Sequence, residues 1–287
     1  MIKTKTKNAI RKLFDSNSIF ILILKKILIF LIIKKIIDFK LSTLVKNNLT
    51  ERPAYLYCIY NAALLAKKLG HKKISVIEFG VAGGNGIMFL EKYSEKILKE
   101  INVKIEIFGF DLREGLNEPK DYRDLPYWFK KSLYKMDYEK LNSKLKNTKL
   151  IIGDVKNTIK DFFINNNPPP IGVILNDLDY YSSTKDSFEI FNQSEERFFL
   201  PRIFCYFDDV IGTEKEMYGI NNGELLAIEE FNKENDNKKI NLNQNLLNTN
   251  FYYRLQIYYF HNFIHKDYNK FIYENEQSTT NQYLKIK

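Results

Sequence analysis

From about residue 50 onward, short apolar runs alternate with stretches of helical periodicity. Residues 54–69 place small and apolar side chains at helical spacing and stop at Gly70, which predicts a helix with a glycine cap. Residues 74–79 form a short β-rich run, followed by a glycine cluster over 80–86 and a helical stretch to about Leu98. A second strand is predicted over 105–110, ending in Asp111, and a third over 150–152, ending at Gly153-Asp154 with a helix through Phe163. After the break Pro168–Pro170 comes a fourth strand, 171–175, then Asp177. Ser183-Thr184-Lys185-Asp186 reads as a capping box opening the next helix. Pro201 precedes a fifth strand, 203–207, which ends in Asp208-Asp209. A helix is predicted over 224–235, a solvated loop over the Asn/Lys-rich 232–250, and a late tyrosine-rich strand over 251–260. Short strands separated by helices predict an α/β fold, a Rossmann-like doubly wound sheet that is mostly parallel with a late antiparallel strand.

The first 50 residues break this rhythm. Residues 19–24 and 27–33 are apolar runs split by Lys25-Lys26 and closed by Lys34-Lys35. A membrane span needs about 20 mostly apolar residues. A central lysine costs roughly 2.5–3.5 kcal/mol on insertion scales, which nearly cancels the roughly 0.3–0.6 kcal/mol from each Ile, Leu or Phe. A true span is therefore not expected. At about 100° per residue the four lysines fall near 0°, 100°, 180° and 280°, so they ring a helix instead of marking one polar face. No small-residue cleavage site follows, which argues against a secretory signal. Two readings stay open for residues 1–50: docking on the domain or on a second subunit of a homo-oligomer, and peripheral contact with the inner face of a membrane. Residues 51–287 read as one catalytic-sized domain, and a cytoplasmic location is expected.

Charge sharpens the division. The 287 residues carry a net charge of +9, and residues 1–50 alone hold eleven basic side chains against Asp15 and Asp38. The rest of the chain sums to zero, so the body has no overall basic field and a nucleic-acid partner is not expected. Cys58 and Cys205 lie far apart and form no metal-like pair, and read as buried thiols. His71, His261 and His265 fit no ligand spacing and are expected on the surface or in loops.

The acidic positions carry the chemistry. Asp111, Asp154, Asp177 and Asp208 each follow a predicted strand, and in open α/β sheets ligands bind in the crevice outside the carboxyl ends of the strands. Aspartates there also cap helices and satisfy turns, a competing role for any single one. Glu78-Phe79-Gly80-Val81-Ala82-Gly83-Gly84-Asn85-Gly86 is a strand-to-helix turn whose glycines let backbone approach a ligand. Its spacing, G-x-x-G-G-x-G, departs from the dinucleotide fingerprint and lacks the Lys-Ser/Thr ending of a phosphate-binding P-loop.

These residues resemble the motifs of class I S-adenosylmethionine-dependent methyltransferases. Residues 78–86 are similar to their first motif, Gly109-Phe110-Asp111 to their second and Gly153-Asp154-Val155 to their third. The stretch Asp177-Leu178-Asp179-Tyr180-Tyr181-Ser182-Ser183-Thr184 and the later Asp208-Asp209 resemble the metal-dependent sugar O-methyltransferases of the macrocin and novobiocin type. The resemblance spans roughly residues 74–231. It implies that S-adenosylmethionine contacts Glu78, Gly80, Gly83, Gly84, Gly86, Asp111 (ribose) and Asp154 (adenine). It further implies that Asp177, Asp208 and Asp209 hold Mg²⁺ and that Asp179 is the base, acting on a small-molecule or glycan hydroxyl. Arg52 and Tyr55 are expected to close over the cofactor, and Tyr180 and Tyr181 to pack at the rim. The chain departs from the pattern at Leu200-Pro201-Arg202, where a glycine turn is usual. The rivals are a nicotinamide-dependent oxidoreductase or nucleotide-sugar epimerase, disfavoured by the glycine spacing and by the expected absence of a Tyr-x-x-x-Lys pair after the fourth strand, and a non-catalytic membrane-attached binding protein.

Overall fold

The computed structural model describes residues 19–33, 36–193 and 195–272. Five strands follow the predicted order: β1 (Lys73–Phe79), β2 (Lys104–Asp111), β3 (Thr148–Ile152), β4 (Ile171–Asn176) and β5 (Phe199–Phe207). Two more, β6 (Lys238–Leu242) and β7 (Ile257–Asn262), complete a sheet in the order β3-β2-β1-β4-β5-β7-β6. Strands β1 to β5 pair in parallel, while β7 runs antiparallel to both β5 and β6. The chain steps outward one way through β1, β2 and β3, and the other way through β4 and β5. The direction therefore switches between β1 and β4, and the crevice at their carboxyl ends is where such a sheet binds ligands.

Strand alternation sends side chains to two cores. On one face Ile74 and Val76 pack under α1 (Ile19–Ile33), α2 (Leu41–Asn47), α3 (Pro53–Leu69) and α4 (Asn85–Ile101). On the other, Ile77 and Phe79 join Phe110, Phe207 and Phe260 beneath α7 (Phe162–Asn166), α8 (Tyr181–Ser187) and α9 (Gly223–Glu234). Helix α3 ends as the sequence predicts, on Gly70 in the left-handed region with φ 94°. Leu41, Leu44 and Leu49 are buried in the same core as α3. Cys58 and Cys205 are buried free thiols.

Several local expectations change. The predicted helix after Asp154 is two short pieces, α6 (Val155–Thr158) and α7. Strand β6 lies inside the stretch expected to be a solvated loop. Its one deeply buried side chain, Ile240, is too little apolar pattern to announce a strand, and pairing with β7 supplies the rest. The late strand is Ile257–Asn262 and not 251–260, because Tyr253 turns into the opposite core. The capping box also fails, since α8 begins at Tyr181 and encloses Ser183. Its first turn is held instead by Asp124, which accepts from the Ser182 backbone N–H and hydroxyl at 2.8 and 2.9 Å. Strand β5 starts before Pro201, at Phe199, with the irregular register that lets a residue lacking an N–H sit in a strand. His261 lies in β7 bonded to Tyr268 and not in a loop, whereas His265 lies in the loop after β7, where it is buried against the Glu196 carbonyl.

Candidate active site

The turn between β1 and α4 is built around glycine for reasons that differ residue by residue. At Gly80, φ is 84° and a Cβ would lie 1.7 Å from the Asp177 carbonyl oxygen, so β1 and β4 can only meet here if this position has no side chain. A Cβ on Gly84 would strike Leu141 of α5 (Tyr138–Asn142), and one on Gly86 would strike Glu78. Gly83 meets nothing within 4 Å and carries no such demand. Of the residues expected to contact the cofactor, Gly80, Asp111 and Asp154 line the crevice, whereas Glu78, Gly83, Gly84 and Gly86 do not line it.

Glu78 shares the α3 face of β1 with Ile74 and Val76, which buries a carboxylate in an apolar core. Oε1 accepts from the Tyr55 hydroxyl at 2.8 Å and Oε2 has no partner. Burial pushes its carboxyl up to about 7, with the Tyr55 bond and Arg52 opposing. Tyr55 is thus a buried anchor and not a lid, and the Arg52 guanidinium sits 4.9 Å over its ring.

Asp111 holds the loop. Oδ2 accepts from the Val81 and Ala82 backbone N–H groups at 2.9 and 2.8 Å, and Oδ1 from that of Arg113 at 2.6 Å. Asp154 caps α6 through the Lys156 N–H at 3.0 Å, and its other oxygen accepts from Asn117 at 3.2 Å. Both carboxylates therefore have structural work while facing the crevice.

Across the switch point, one oxygen each of Asp177, Asp208 and Asp209 lie within 4.8 Å of one another. Two oxygens on opposite sides of a six-coordinate Mg²⁺ are about 4.2 Å apart, twice its usual bond length. The donor set, all hard carboxylate oxygen, fits that ion. Burial and then Asp208 and Asp209 hold Asp177 well above the usual carboxylate range, and burial raises Asp209 to about 6. Such crowding is relieved by protonation or by a cation.

A supporting ring fixes these acids. Tyr206 donates to Asp208, and Gln256 Nε2 reaches the Asp208 carbonyl at 2.9 Å. Tyr218 donates to Asp209 at 2.7 Å, and the Asp179 N–H reaches Asp209 at 3.2 Å. The Asp209 N–H is accepted by Glu224, a fully buried acid with its second oxygen unpartnered. Asp179 itself adopts a left-handed backbone, φ 61°, which costs a non-glycine residue about 1 kcal/mol or more. Sequence reasoning missed Tyr206, Gln256, Tyr218 and Glu224, whose spacing carries no motif. Only the position of Tyr206, at the end of β5 and two before Asp208, hinted at a role.

These side chains surround a cavity of about 430 Å³. Asp111, Asp154, Asp177, Asp179, Asp208, Asp209 and Glu216 contribute acid, and no lysine or arginine lines it among the described residues. Trp128, Phe129, Tyr134 and Tyr218 supply an aromatic wall from the two long connections. Tyr180 is buried beneath that wall, bonded to the Asn117 carbonyl at 3.1 Å. A Tyr-x-x-x-Lys spacing does occur after β4, at Tyr181 and Lys185, contrary to the sequence-based expectation. Neither lines the cavity: both bond Glu230, at 2.6 Å each, on the far side of α8.

No family model matches the sequence, and no curated protein matches it. Among solved structures the chain is similar to the calicheamicin methyltransferase CalS11, with 16% identity over 86% of this chain and 94% of that one at a TM-score of 0.47. It is similar to the O-methyltransferase NovP, at 13% identity over 73% and 79% with a TM-score of 0.49. A third is the MycE methyltransferase of mycinamycin biosynthesis in complex with Mg, SAH and mycinamycin VI, at 12% identity, 78% and 54% coverage and a TM-score of 0.41.

Proposed function

We propose that this chain is an S-adenosylmethionine-dependent O-methyltransferase that acts, with a divalent cation, on a hydroxyl of a sugar or glycan-type acceptor. The observation that carries the reading is the charge of the cavity: among the described residues its walls present carboxylates and no lysine or arginine. A dinucleotide or nucleotide-sugar brings a diphosphate, which such walls repel, whereas a sulfonium and a divalent cation are attracted. The motif resemblance around Gly80, Asp111 and the Asp177–Asp179 stretch points the same way.

When bound, the cofactor supplies an electrophilic methyl and Mg²⁺ polarises the acceptor oxygen. The chain's residues do the rest. Asp111 fixes the β1–α4 turn and offers its remaining lone pairs to ribose hydroxyls. Asp154 and Asn117 flank the adenine end. Asp177, Asp208 and Asp209 hold the ion, with Tyr206, Tyr218 and Gln256 fixing their orientation. Asp179 would accept the proton of the acceptor hydroxyl. The aromatic wall of Trp128, Phe129 and Tyr134 gives a sugar ring an apolar face to lie against.

Calorimetry with S-adenosylhomocysteine and with NAD⁺, followed by methyl transfer to a glycan panel, tests the reading. Binding of the former alone and methylation of uncharged glycans in preference to nucleotide-sugars is expected. Tight NAD⁺ binding without binding of S-adenosylhomocysteine overturns it, and cofactor binding with no transfer to any acceptor favours the binding-protein rival.

A further inference from the structure

Helix α1 is apolar all round: Lys25 and Lys26 are its only polar side chains. A soluble helix of that composition is normally buried on every side. This one is not. Its inner side packs on the domain through Ile32, 8% exposed, with Leu28 against the same core, and Ile21 is 5% exposed. Its outer side presents Leu22 at 47%, Ile23 at 52% and Ile27 at 50%, within about 140° of arc, and Phe30 at 55%. Lys26 sits exposed in the middle of that face. Ile36 continues the apolar surface just beyond the helix, 66% exposed. Fifteen residues cannot cross a bilayer, and no helix among the described residues is long and apolar enough to do so.

Charge identifies the occupant. The whole net charge of +9 belongs to residues 1–50, so the cations flank this helix in sequence while the rest of the chain sums to zero. A second copy of the chain docked through the same face would bring two such segments together and force like charges into contact. An anionic lipid surface meets both features at once: the apolar side chains enter the acyl boundary and lysine stems snorkel to the headgroups. We infer that α1 is an interfacial anchor that lays its Leu22–Ile23–Ile27 face into an anionic bilayer, seating the domain on the membrane surface.

The test is co-sedimentation of the full chain with vesicles of phosphatidylcholine, and of equimolar phosphatidylcholine and phosphatidylglycerol. Binding to the anionic vesicles should exceed binding to the neutral ones by at least about tenfold and fall as salt is raised through the physiological range. A variant with Leu22→Ser, Ile23→Ser and Ile27→Ser should lose vesicle binding while its far-ultraviolet circular dichroism and S-adenosylhomocysteine affinity stay unchanged. Lys26→Glu with Lys34→Glu and Lys35→Glu tests the charge alone and leaves the apolar face intact, should the first variant fold poorly. Equal binding to both vesicle types, no binding to either, or a dimer in light scattering that the serine variant dissolves would each overturn the inference.

Discussion

Glu78 and Tyr55 form a buried acid–phenol pair, 2.8 Å apart, that leaves one carboxylate oxygen with no partner. The carboxyl is raised from 4.5 to about 7 by burial, so between these values the folded chain binds a proton that the unfolded chain has released. Stability therefore falls as pH rises from about 4.5 to about 7 and levels off above. The slope should account for up to about 3 kcal/mol, at about 1.4 kcal/mol per unit. Thermal melting of the ligand-free protein from pH 5 to pH 8 should show this decline, and Glu78→Gln should make it shallower, leaving the part that the raised carboxyls of Asp177 and Asp209 contribute. A Glu78→Gln profile parallel to the parent's would place the titrating group elsewhere.

Two glycines of the same turn should behave oppositely. Gly80→Ala drives a Cβ into the Asp177 carbonyl in a left-handed conformation and should cost at least about 3 kcal/mol, because backbone cannot swing aside. Gly83→Ala meets open space and should change stability by about 0.5 kcal/mol or less. Denaturant titration of both variants decides the point, and equal midpoints would show that the turn is not held as described.

Asp111 has two jobs that separate experimentally. Asp111→Ala removes the acceptor of three backbone N–H groups and should lower stability of the ligand-free protein by about 1–3 kcal/mol. It should also weaken S-adenosylhomocysteine by more than tenfold in calorimetry. Asp111→Asn keeps one acceptor oxygen and should fall between. Unchanged affinity in a destabilised Asp111→Ala protein would leave only the loop-holding role.

The acidic set should divide into metal holders and a base. Asn substitutions at Asp177, Asp208 or Asp209 should each raise the Mg²⁺ concentration required for methyl transfer, and excess metal should partly restore turnover. Asp179→Asn should lower turnover by roughly 10²–10⁴-fold with no restoration by metal, since a proton acceptor is missing. A methyl-transfer assay titrated with Mg²⁺ and with EDTA distinguishes the two patterns. Full activity in EDTA would return the three aspartates to structural roles.

What the chain determined by itself is local in origin. Alternating apolar runs fixed the parallel strands, and Gly70, Gly80 and the post-strand acids marked the edge at which they end, because strand periodicity and glycine turns are written in neighbouring residues. Tertiary structure decided what depends on partners far away in sequence. Asp124, 58 residues from Ser182, caps α8 in place of the expected Ser183 box. Strand β6 exists because β7 offers it a ladder, not because its own polar residues predict one. The spacing that suggests a Tyr181–Lys185 pair is disarmed by Glu230, which ties both side chains outside the cavity. Glu224 joins the acidic site only because α9 packs behind Asp209, and Gln256 only because the chain returns beside Asp208. The aspartates announced themselves by position after a strand. The groups that fix them carry no such mark, since a hydrogen bond across the fold leaves no spacing in the sequence.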